Sequence, residues 1–321
     1  QGFVKPMTTT EKVMVADENS MYPAHLRKSY PDMKTCRETV PTVNALKSLI
    51  ESDDVVCWAN LKLKGEGLPC FLPGTDNLGR RCWTNDFYDG WLAEPEIRHA
   101  LELGYVVEEL KELHFANAIL PFKWFVDFFY KLRQEMKEAN DGRQLWIKVM
   151  LASLYGKFGQ REIVERIEND EKILEILESE DADKYEIKYY DGAEGSLPFL
   201  IGHENIRKPR NTWFGFCSFC TSYARVDLNK AILATKGKAV YCDTDSVFFT
   251  SDALEDIQKH IKIGDELGEW GWEMEKPTTF IYYEPKAYVF VENDIKVKVR
   301  HKGVTTKGAD GEFYPWAGDL T

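Results

Sequence analysis

The sequence predicts a fold in which strands and helices occupy separate stretches of one chain, and three patterns carry that prediction. Short apolar, β-branched runs bounded by turn residues, as at residues 13–16, are typical of strands. Two long helical patterns meet at a turn signal at residues 140–142, which predicts an αα-hairpin. Residues 239–250 place an Asp-Thr-Asp turn between two apolar runs and predict a pair of strands. The 321 residues are enough for one large or two modest domains.

Each element follows from a local pattern. Strand patterns occur at residues 13–16, 55–63, 239–241, 246–250, 280–283, 287–291 and 295–299. Helical patterns occur at residues 94–103, 121–139, 143–156 and 214–233. Pro121 begins the second of these helices, consistent with proline in a first helical turn, and Gly104 ends the first. Glycines and prolines at residues 65–74 indicate a loop, and residues 161–192 predict a helix followed by a hairpin.

The formal net charge of −12 argues against binding of nucleic acid by simple electrostatic attraction. Part of the surplus is local, because residues 161–192 hold twelve acidic and five basic residues. A site for phosphoryl transfer also needs carboxylates. The negative net charge therefore weakens the prediction of a nucleic-acid function without excluding it.

Seven cysteines, an odd number scattered along the chain, favour reduced thiols in a cytosol-like compartment over a disulfide framework. Cys217 and Cys220 form a lone Cys-x-x-Cys, so buried helix cysteines are favoured over a zinc site. No stretch approaches the roughly 20 apolar residues of a membrane span, and the chain begins at Gln1 without a signal-peptide pattern. We expect a cytoplasmic protein that is not secreted and has no membrane partner.

The heptapeptide Asp-Glu-Asn-Ser-Met-Tyr-Pro at residues 17–23 places an aspartate at the end of a strand, with a compact turn after it. Asp17 can ligate a metal ion, and the backbone N–H groups that follow can bind phosphate oxygens. Tyr22 is placed to pack under a sugar ring. A capped turn without a ligand is an equally good interpretation of this segment alone.

The nonapeptide Lys-Val-Met-Leu-Ala-Ser-Leu-Tyr-Gly, which begins at Lys148, puts a cation, a small residue and an aromatic ring on one helix face. Lys148, Ala152 and Tyr155 lie within about 60° of one another around the helix. This face suits a nucleotide whose triphosphate meets Lys148. Gln144 lies one turn earlier on the same face, and Arg133 on the preceding helix can point at the same triphosphate. A solvated lysine on an amphipathic helix is the alternative.

The hexapeptide Tyr-Cys-Asp-Thr-Asp-Ser at residues 241–246 carries two carboxylates one residue apart in a tight turn. Strand alternation sends Asp243 and Asp245 to the same side, where unpaired like charges repel. A divalent cation removes that cost, and with Asp17 from another strand a two-metal site becomes possible. Mg²⁺ fits such all-oxygen ligands, and Mn²⁺ is a candidate substitute. An Asx-type hairpin turn is the alternative.

Taken together, the three peptides resemble motifs A, B and C of family B DNA polymerases, and they occur in that order. The family patterns are Asp-x-x-Ser-Leu-Tyr-Pro, Lys-x-x-x-Asn-Ser-x-Tyr-Gly and Tyr-x-Asp-Thr-Asp-Ser. Within family B the chain is most similar to the protein-primed polymerases of linear phages and plasmids. The resemblance implies a template-directed DNA polymerase with an α+β, right-hand fold. An antiparallel palm sheet and a helical fingers hairpin are expected, with the thumb largely missing.

The resemblance also implies a role for each site residue. The catalytic residues would be Asp17, Asp243 and Asp245, which would bind two Mg²⁺ ions together with the backbone carbonyl of Glu18. The residues expected to bind the incoming dNTP are Ser20, Met21, Tyr22, Arg133, Gln144, Lys148 and Tyr155. Tyr22 would stack under the deoxyribose and exclude a 2′-hydroxyl. The residues expected to bind the primer-template are Lys286 and Tyr288, which form a Lys-x-Tyr pattern, and Lys302.

The resemblance covers residues 13–304 and implies a division of the chain into regions. These are palm at residues 1–26 and 211–305, a terminal-protein-contacting palm insertion at 27–115, fingers at 116–147, a motif B helix at 148–160, an acidic insertion at 161–210, and the start of a thumb or a tail at 306–321. No exonuclease motif occurs in this chain. The implied partners are primer-template DNA, dNTPs and a candidate terminal protein primer, in replication of a viral or plasmid genome.

Ala152 departs from the family, because motif B has asparagine there. This departure motivates a rival hypothesis, a non-catalytic polymerase-like module that binds DNA or a priming protein. The retained carboxylates argue against it, since a scaffold has no reason to keep like charges together. A nucleotidyltransferase that needs no template is a second rival. How synthesis begins stays open, with protein priming, a nucleic-acid primer and unprimed initiation as the alternatives.

Overall fold

The computed structural model describes residues 2–3, 12–75, 81–83, 87–160, 166–189, 198–202, 212–284, 286–293 and 295–300. The chain forms two compact units. The first comprises Gln1–Ser153 and Ser218–Thr321, and the second comprises Leu154–Cys217. The predicted primer-template residue Lys302 and the predicted thumb or tail at residues 306–321 lie outside the described residues.

Helices and antiparallel strands both occur, as the sequence predicts. In chain order the strands of the described residues are β1 (Gly2–Phe3), β2 (Lys12–Glu18), β3 (Tyr30–Pro31), β4 (Arg37–Thr39), β5 (Val55–Lys64), β6 (Pro73–Thr75), β7 (Arg81–Trp83), β8 (Phe87–Ala93), β9 (Val106–Ile119), β10 (Arg166–Ile167), β11 (Tyr185–Tyr189), β12 (Pro198–Gly202), β13 (Ala239–Asp243), β14 (Ser246–Thr250), β15 (Trp270–Glu284), β16 (Ala287–Glu292) and β17 (Ile295–Arg300). The α-helices there are α1 (Met21–Leu26), α2 (Val43–Glu51), α3 (Glu94–Glu102), α4 (Lys123–Glu138), α5 (Gln144–Phe158), α6 (Asp170–Leu177), α7 (Phe214–Ala234) and α8 (Leu254–Ile257).

The main sheet of the first unit has seven antiparallel strands in the order β1-β13-β14-β2-β15-β16-β17. Strand β2 lies at its centre, and its register sets Asp17 opposite Ser246 on β14 and Gly271 on β15. The sequence predicts every strand of this sheet except β1. The register brings the end of β2 level with the turn between β13 and β14, and this positions the candidate site.

Both faces of β2 are buried, so its apolar run is continuous and does not alternate with polar residues. Val13 and Val15 pack into an aromatic cluster with Tyr241, Phe248, Phe280, Tyr288 and Phe290. Met14 and Ala16 pack on the opposite face, against α7 and α8. Because side chains alternate along a strand, Asp17 lies on the face of Val13 and Val15, and Glu18 lies on the face of Met14 and Ala16.

Helices α4 and α5 form the predicted αα-hairpin, with Asn140 at φ 53° in the turn between them. Asparagine tolerates this left-handed backbone better than most residues. The prediction for Pro121 is wrong by two residues, because α4 begins at Lys123 after an N-cap at Phe122. The backbone N–H of Val126 donates to the Phe122 carbonyl, so the first helical hydrogen bond forms beyond the proline.

A second sheet of the first unit has the strand order β3-β9-β5-β8, and β4 also pairs with β9. Strand β9, which has 14 residues, was not predicted from the sequence. Its exposed positions are rich in charged residues, which conceals the apolar alternation. Cross-strand ion pairs, such as Lys62 with Glu109 at 2.8 Å, account for those charges. Leu113 on its other face is buried in the core of this sheet.

The second unit contains the acidic segment. Helix α6 begins after Asn169, whose side chain accepts a hydrogen bond from the backbone N–H of Lys172. Strands β11 and β12 then pair antiparallel. The expected order of helix before paired strands is confirmed, but β12 lies beyond residue 192, where the predicted segment ends. The short strand β10 also precedes the helix and pairs with β12.

Within the described part of the chain, no helix combines the length and apolar character that crossing a bilayer requires. Cys220 is buried on α7 and Cys217 is half-buried on the same helix, which agrees with the preference for helix cysteines over a zinc site.

Candidate active site

The turn between β13 and β14 is joined directly to the end of β2. Thr244 has a φ of 57°, and the backbone N–H of Asp245 donates to the Asp243 carbonyl at 2.6 Å. The backbone N–H of Glu18 donates to the Asp245 carbonyl at 2.8 Å. The main chain alone therefore holds the first and third predicted motifs together, with Asp17 beside the Asp-Thr-Asp turn.

Two of the three aspartates carry raised pKa values. Burial, and secondarily the charges of Asp245 and Glu273, raise the pKa of Asp17 to about 7. Burial, and secondarily the charge of Asp243, raise the pKa of Asp245 to about 6. Desolvation and like charge both disfavour the ionised carboxylates. A bound divalent cation favours the ionised form and reverses both effects.

This electrostatic cost predicts that Asp17→Asn stabilises the metal-free protein. Between about pH 4 and pH 7 the folded chain keeps a proton on Asp17 that the unfolded chain has released. The free energy of unfolding therefore falls as pH rises through that window. The variant removes this contribution, and after allowance for solvent screening we expect a gain of about 1–2 kcal/mol at pH 8.

Urea unfolding in EDTA, repeated from pH 4 to pH 8, measures this effect. In Asp17→Asn, the pH dependence of the free energy of unfolding that remains should reflect Asp245, whose pKa is also raised. Asp252→Asn is the matched control, because Asp252 is exposed and paired with Lys238. An Asp17→Asn protein that unfolds at the wild-type urea concentration at pH 8 would contradict the electrostatic interpretation.

A fourth carboxylate at this site was not predicted from the sequence. Glu273 on β15 lies close enough to raise the pKa values of both Asp17 and Asp245. Its side chain pairs with Lys298 on β17, and Arg300 lies 3.9 Å away. Lys298 in turn lowers the pKa of Asp17. An acidic residue within the apolar stretch Trp-Gly-Trp-Glu-Met was the available signal, but the strand prediction began only at residue 280.

Lys286 also belongs to this group of charges. Its Nζ lies 3.3 Å from Asp243 Oδ1, and its backbone N–H donates to the Tyr241 hydroxyl at 3.2 Å. The structure thus places this predicted primer-template residue beside a predicted catalytic carboxylate. Tyr288 is 4% exposed and packs on Tyr241 and Phe248, so its main observed role is in the core.

The turn after Asp17 meets the helical hairpin through one arginine. Ser20 has a φ of 52°, and its Oγ accepts a hydrogen bond from Arg133 Nη1 at 3.4 Å. Arg133 Nε donates to Gln144 Oε1 at 3.5 Å. Three of the predicted dNTP-binding residues, from α4, α5 and the turn, therefore lie together. Met21 is buried in the same turn and Tyr22 is half-buried.

The two remaining predicted dNTP-binding residues lie on α5. Lys148 is exposed, and among the described residues it has no ion-pair partner. Ala152, at the position where motif B has asparagine, is also exposed. Tyr155 lies on the part of α5 that belongs to the second unit. A role for Lys148 and Tyr155 in nucleotide binding stays a prediction.

A cavity of about 730 Å³ opens beside the Asp-Thr-Asp turn. Tyr22, Thr244 and Arg225 line it together with mostly apolar residues of α7 and of the loop before β6. This volume is typical of sites for small molecules. Tyr22 and the turn that carries the two aspartates therefore border space that a ligand can enter.

The family described as DNA polymerase type B, organellar and viral, matches residues 2–197. The chain belongs to this family. A probable DNA polymerase of Agaricus bitorquis is 27% identical over 93% of this chain and 40% of its own length. The DNA polymerase of Bacillus phage phi29 is 27% identical over 92% of this chain and 51% of its own length. The chain thus spans about half, or less, of the curated relatives it matches.

Solved structures of phi29 DNA polymerase share the fold of this type B chain. The orthorhombic crystal form matches with a TM-score of 0.61 at 20% identity, covering 92% of this chain and 51% of that one. The ternary complex with primer-template DNA and incoming nucleotide substrates matches with a TM-score of 0.60 at 19% identity, over the same shares. The arrangement of helices and antiparallel sheets is therefore the one found in that polymerase.

Proposed function

We propose that this chain catalyses template-directed addition of dNTPs to the 3′ end of a DNA primer. The observation that carries the proposal is the convergence of Asp17 with the Asp-Thr-Asp turn at one end of a buried antiparallel sheet. Carboxylates that bind metal ions, with cations nearby, meet the needs of phosphoryl transfer. The names of the phage and fungal relatives support the same reaction.

In this proposal the sheet that contains β2 is the palm, and the hairpin of α4 and α5 is the fingers. The sheet of β3, β9, β5 and β8 forms most of the region assigned to a terminal-protein-contacting insertion. The second unit contains the acidic insertion. A terminal protein is then a candidate primer, in replication of a viral or plasmid genome in the host cytoplasm.

The donor set fits Mg²⁺, because Asp17, Asp243 and Asp245 offer only oxygen atoms. The raised pKa values of Asp17 and Asp245 support the fit, since burial and neighbouring carboxylates disfavour their ionised forms and a bound cation would favour them. Asp17 and Asp245 would ligate directly, Asp243 would assist, and the Glu18 carbonyl would be a further ligand. When bound, two Mg²⁺ ions would activate the primer 3′-hydroxyl and stabilise the pyrophosphate leaving group. Mn²⁺ is expected to substitute.

The protein's own cations would bind the other charged groups. Arg133, which Gln144 and Ser20 orient, would bind the triphosphate together with Lys148. Fixed positive charge there stabilises the charge that develops on the leaving group. Lys286, beside Asp243, would bind the primer strand near the reacting end. Tyr288 and Lys302 complete the proposed primer-template contacts.

Tyr22 is proposed to exclude the 2′-hydroxyl of a ribonucleotide, since it borders the cavity next to Thr244. We expect Tyr22→Val to raise the ratio of rNTP to dNTP incorporation by about 10–100-fold, the range in which steric exclusion discriminates between similar substrates. Single-nucleotide incorporation, measured as kcat/KM for dCTP and for CTP, gives this ratio. Tyr283→Val is the matched control, because Tyr283 is an exposed residue of β15. An unchanged ratio in Tyr22→Val would contradict the assignment.

Primer extension by the 321-residue chain tests the proposed function against the non-catalytic module. Run-off synthesis on a primed DNA strand should require Mg²⁺, stop in EDTA and resume when Mg²⁺ is restored. A folded chain that binds the primed DNA yet extends no primer under these conditions would support the scaffold instead. Extension from a candidate terminal protein, in place of a DNA primer, then tests the mode of priming.

A further inference from the structure

Three side chains with metal-ligating atoms meet inside the first unit, apart from the catalytic turn. They are Glu18 at the end of β2, His25 on α1 and Asp227 on α7, and one ligand atom from each lies within 4.8 Å of the others. His25 Nε2 lies 3.4 Å from Glu18 Oε1, and His25 Nδ1 lies 3.8 Å from Asp227 Oδ2. Strand alternation explains why Glu18 faces α7 while its neighbour Asp17 faces the other way.

Two of the three side chains are buried, and within the described part of the chain these two carry polar atoms without a hydrogen-bond partner, whereas Asp227 is 35% exposed and pairs with Lys28. His25 is 1% exposed and Glu18 is 3% exposed. Among the described residues, Glu18 Oε2 and both ring nitrogens of His25 have no hydrogen-bond partner. A buried polar atom without a partner costs about 1–3 kcal/mol. The unpartnered atoms are the two ring nitrogens and one oxygen of Glu18, and Asp227 adds a second carboxylate nearby. Buried polar atoms without partners indicate a ligand in this cluster.

Surrounding residues contact two of the three ligand residues, His25 and Asp227. Lys28 Nζ pairs with Asp227 Oδ2 at 2.9 Å. The ring of Tyr223 stacks on that of His25 with an interplanar angle of 18°. The hydroxyl of Tyr30 donates to the His25 carbonyl at 3.2 Å. Metal ligands in proteins are commonly oriented in this way, by hydrogen bonds and packing from residues that do not touch the metal.

We propose that Glu18, His25 and Asp227 bind a divalent transition-metal ion of the Zn²⁺ type. An imidazole nitrogen selects such ions over Mg²⁺, which prefers oxygen ligands. One histidine with two carboxylates gives three protein ligands and leaves a fourth position for water. The bound ion would fasten β2 and α1 to α7 directly behind the catalytic strand end. This site uses the Glu18 side chain, whereas the proposed Mg²⁺ site uses only the Glu18 backbone carbonyl. The existence of the histidine-containing site does not depend on polymerase activity.

Co²⁺, which has visible absorption when bound by nitrogen and oxygen ligands, is the probe for this site. The metal-free 321-residue chain, titrated with Co²⁺, is expected to develop an absorption band that saturates at one equivalent and disappears on addition of Zn²⁺. His25→Gln and Asp227→Asn should abolish the band. Asp245→Asn should keep it, because that residue lies outside the cluster.

His99→Gln is the matched control, since His99 is also a buried histidine with a carboxylate, Glu102, at 3.4 Å. It should keep the Co²⁺ band. A parallel thermal-unfolding measurement should show that Zn²⁺ raises the melting temperature of the wild type and of Asp245→Asn but not of Asp227→Asn. Asp227→Asn replaces a carboxylate by an amide of the same shape. It therefore keeps the test valid if His25→Gln does not fold.

Two results would overturn the proposal. One is a wild-type chain without the Co²⁺ band, which would indicate that Glu18, His25 and Asp227 contact one another without a metal. The other is a band that Asp227→Asn retains at full strength, which would place the ion elsewhere. Either result leaves the proposed polymerase function standing, because primer extension is measured separately.

Discussion

Replacing Asp245 with asparagine is expected to lower the rate of primer extension by at least about 10³-fold, the scale of losing a main stabiliser of transition-state charge. Asp245 lies in the turn that a main-chain hydrogen bond holds against the end of β2. Burial, and secondarily the charge of Asp243, raise its pKa to about 6 and so disfavour its ionised form without a cation. An amide of the same shape cannot supply the charge that a divalent ion requires. The loss should therefore appear in kcat at saturating dNTP.

Asp252→Asn is the matched control for this prediction, since Asp252 lies just beyond the opposite end of β14 and is exposed. It should change the rate by less than about twofold. Circular dichroism and DNA binding of Asp245→Asn should match the wild type, because the substitution removes an electrostatic cost from the folded chain. An Asp245→Asn protein that extends primers at the wild-type rate with Mg²⁺ would refute the metal assignment.

Replacing Arg133 with alanine is expected to raise the KM for dNTP by about 10–100-fold, since a hydrogen bond to a charged group contributes about 1.5–3 kcal/mol. Arg133 is the residue through which α4 contacts both Ser20 and Gln144. Its loss removes a cation proposed to bind the triphosphate and frees the turn after Asp17 from the helical hairpin. Steady-state incorporation of one nucleotide, with dNTP varied, measures the effect.

Lys131→Ala provides the control for Arg133→Ala. Lys131 lies two residues earlier on α4, is 80% exposed, and sits 4.0 Å from Glu135. Its removal should leave the KM within about twofold of wild type. If the two variants raise the KM equally, the effect would come from the loss of any positive charge on α4. Arg133 would then lose its assigned role.

The parts of the site that lie on local motifs could be predicted from the sequence. Asp17, Asp243 and Asp245 each sit at a strand end next to a turn, and such short patterns fix the position of a side chain. Ser20, Arg133 and Gln144 were also predicted, but their contacts with one another were not. Those contacts depend on how α4 packs against α1, and the sequence of each helix alone does not specify that.

The parts that the sequence did not reveal depend on residues far apart in the chain. Glu273 reaches the predicted catalytic carboxylates only because β15 pairs with β2. Asp227 meets Glu18 and His25 only because α7 packs on the back of the same sheet. The strand β9 was missed because cross-strand ion pairs, not an apolar alternation, account for its exposed face. In each case the feature depends on tertiary packing, which the local sequence pattern does not specify.

The most direct test of the central claim is single-nucleotide incorporation on four templates that differ only in the first unpaired base. With Mg²⁺ and all four dNTPs, the chain is expected to add the nucleotide complementary to that base on each template. Addition of the same nucleotide on all four templates would show a transferase that does not read its template. Primers that bind but stay unextended on all four would show a module without catalysis.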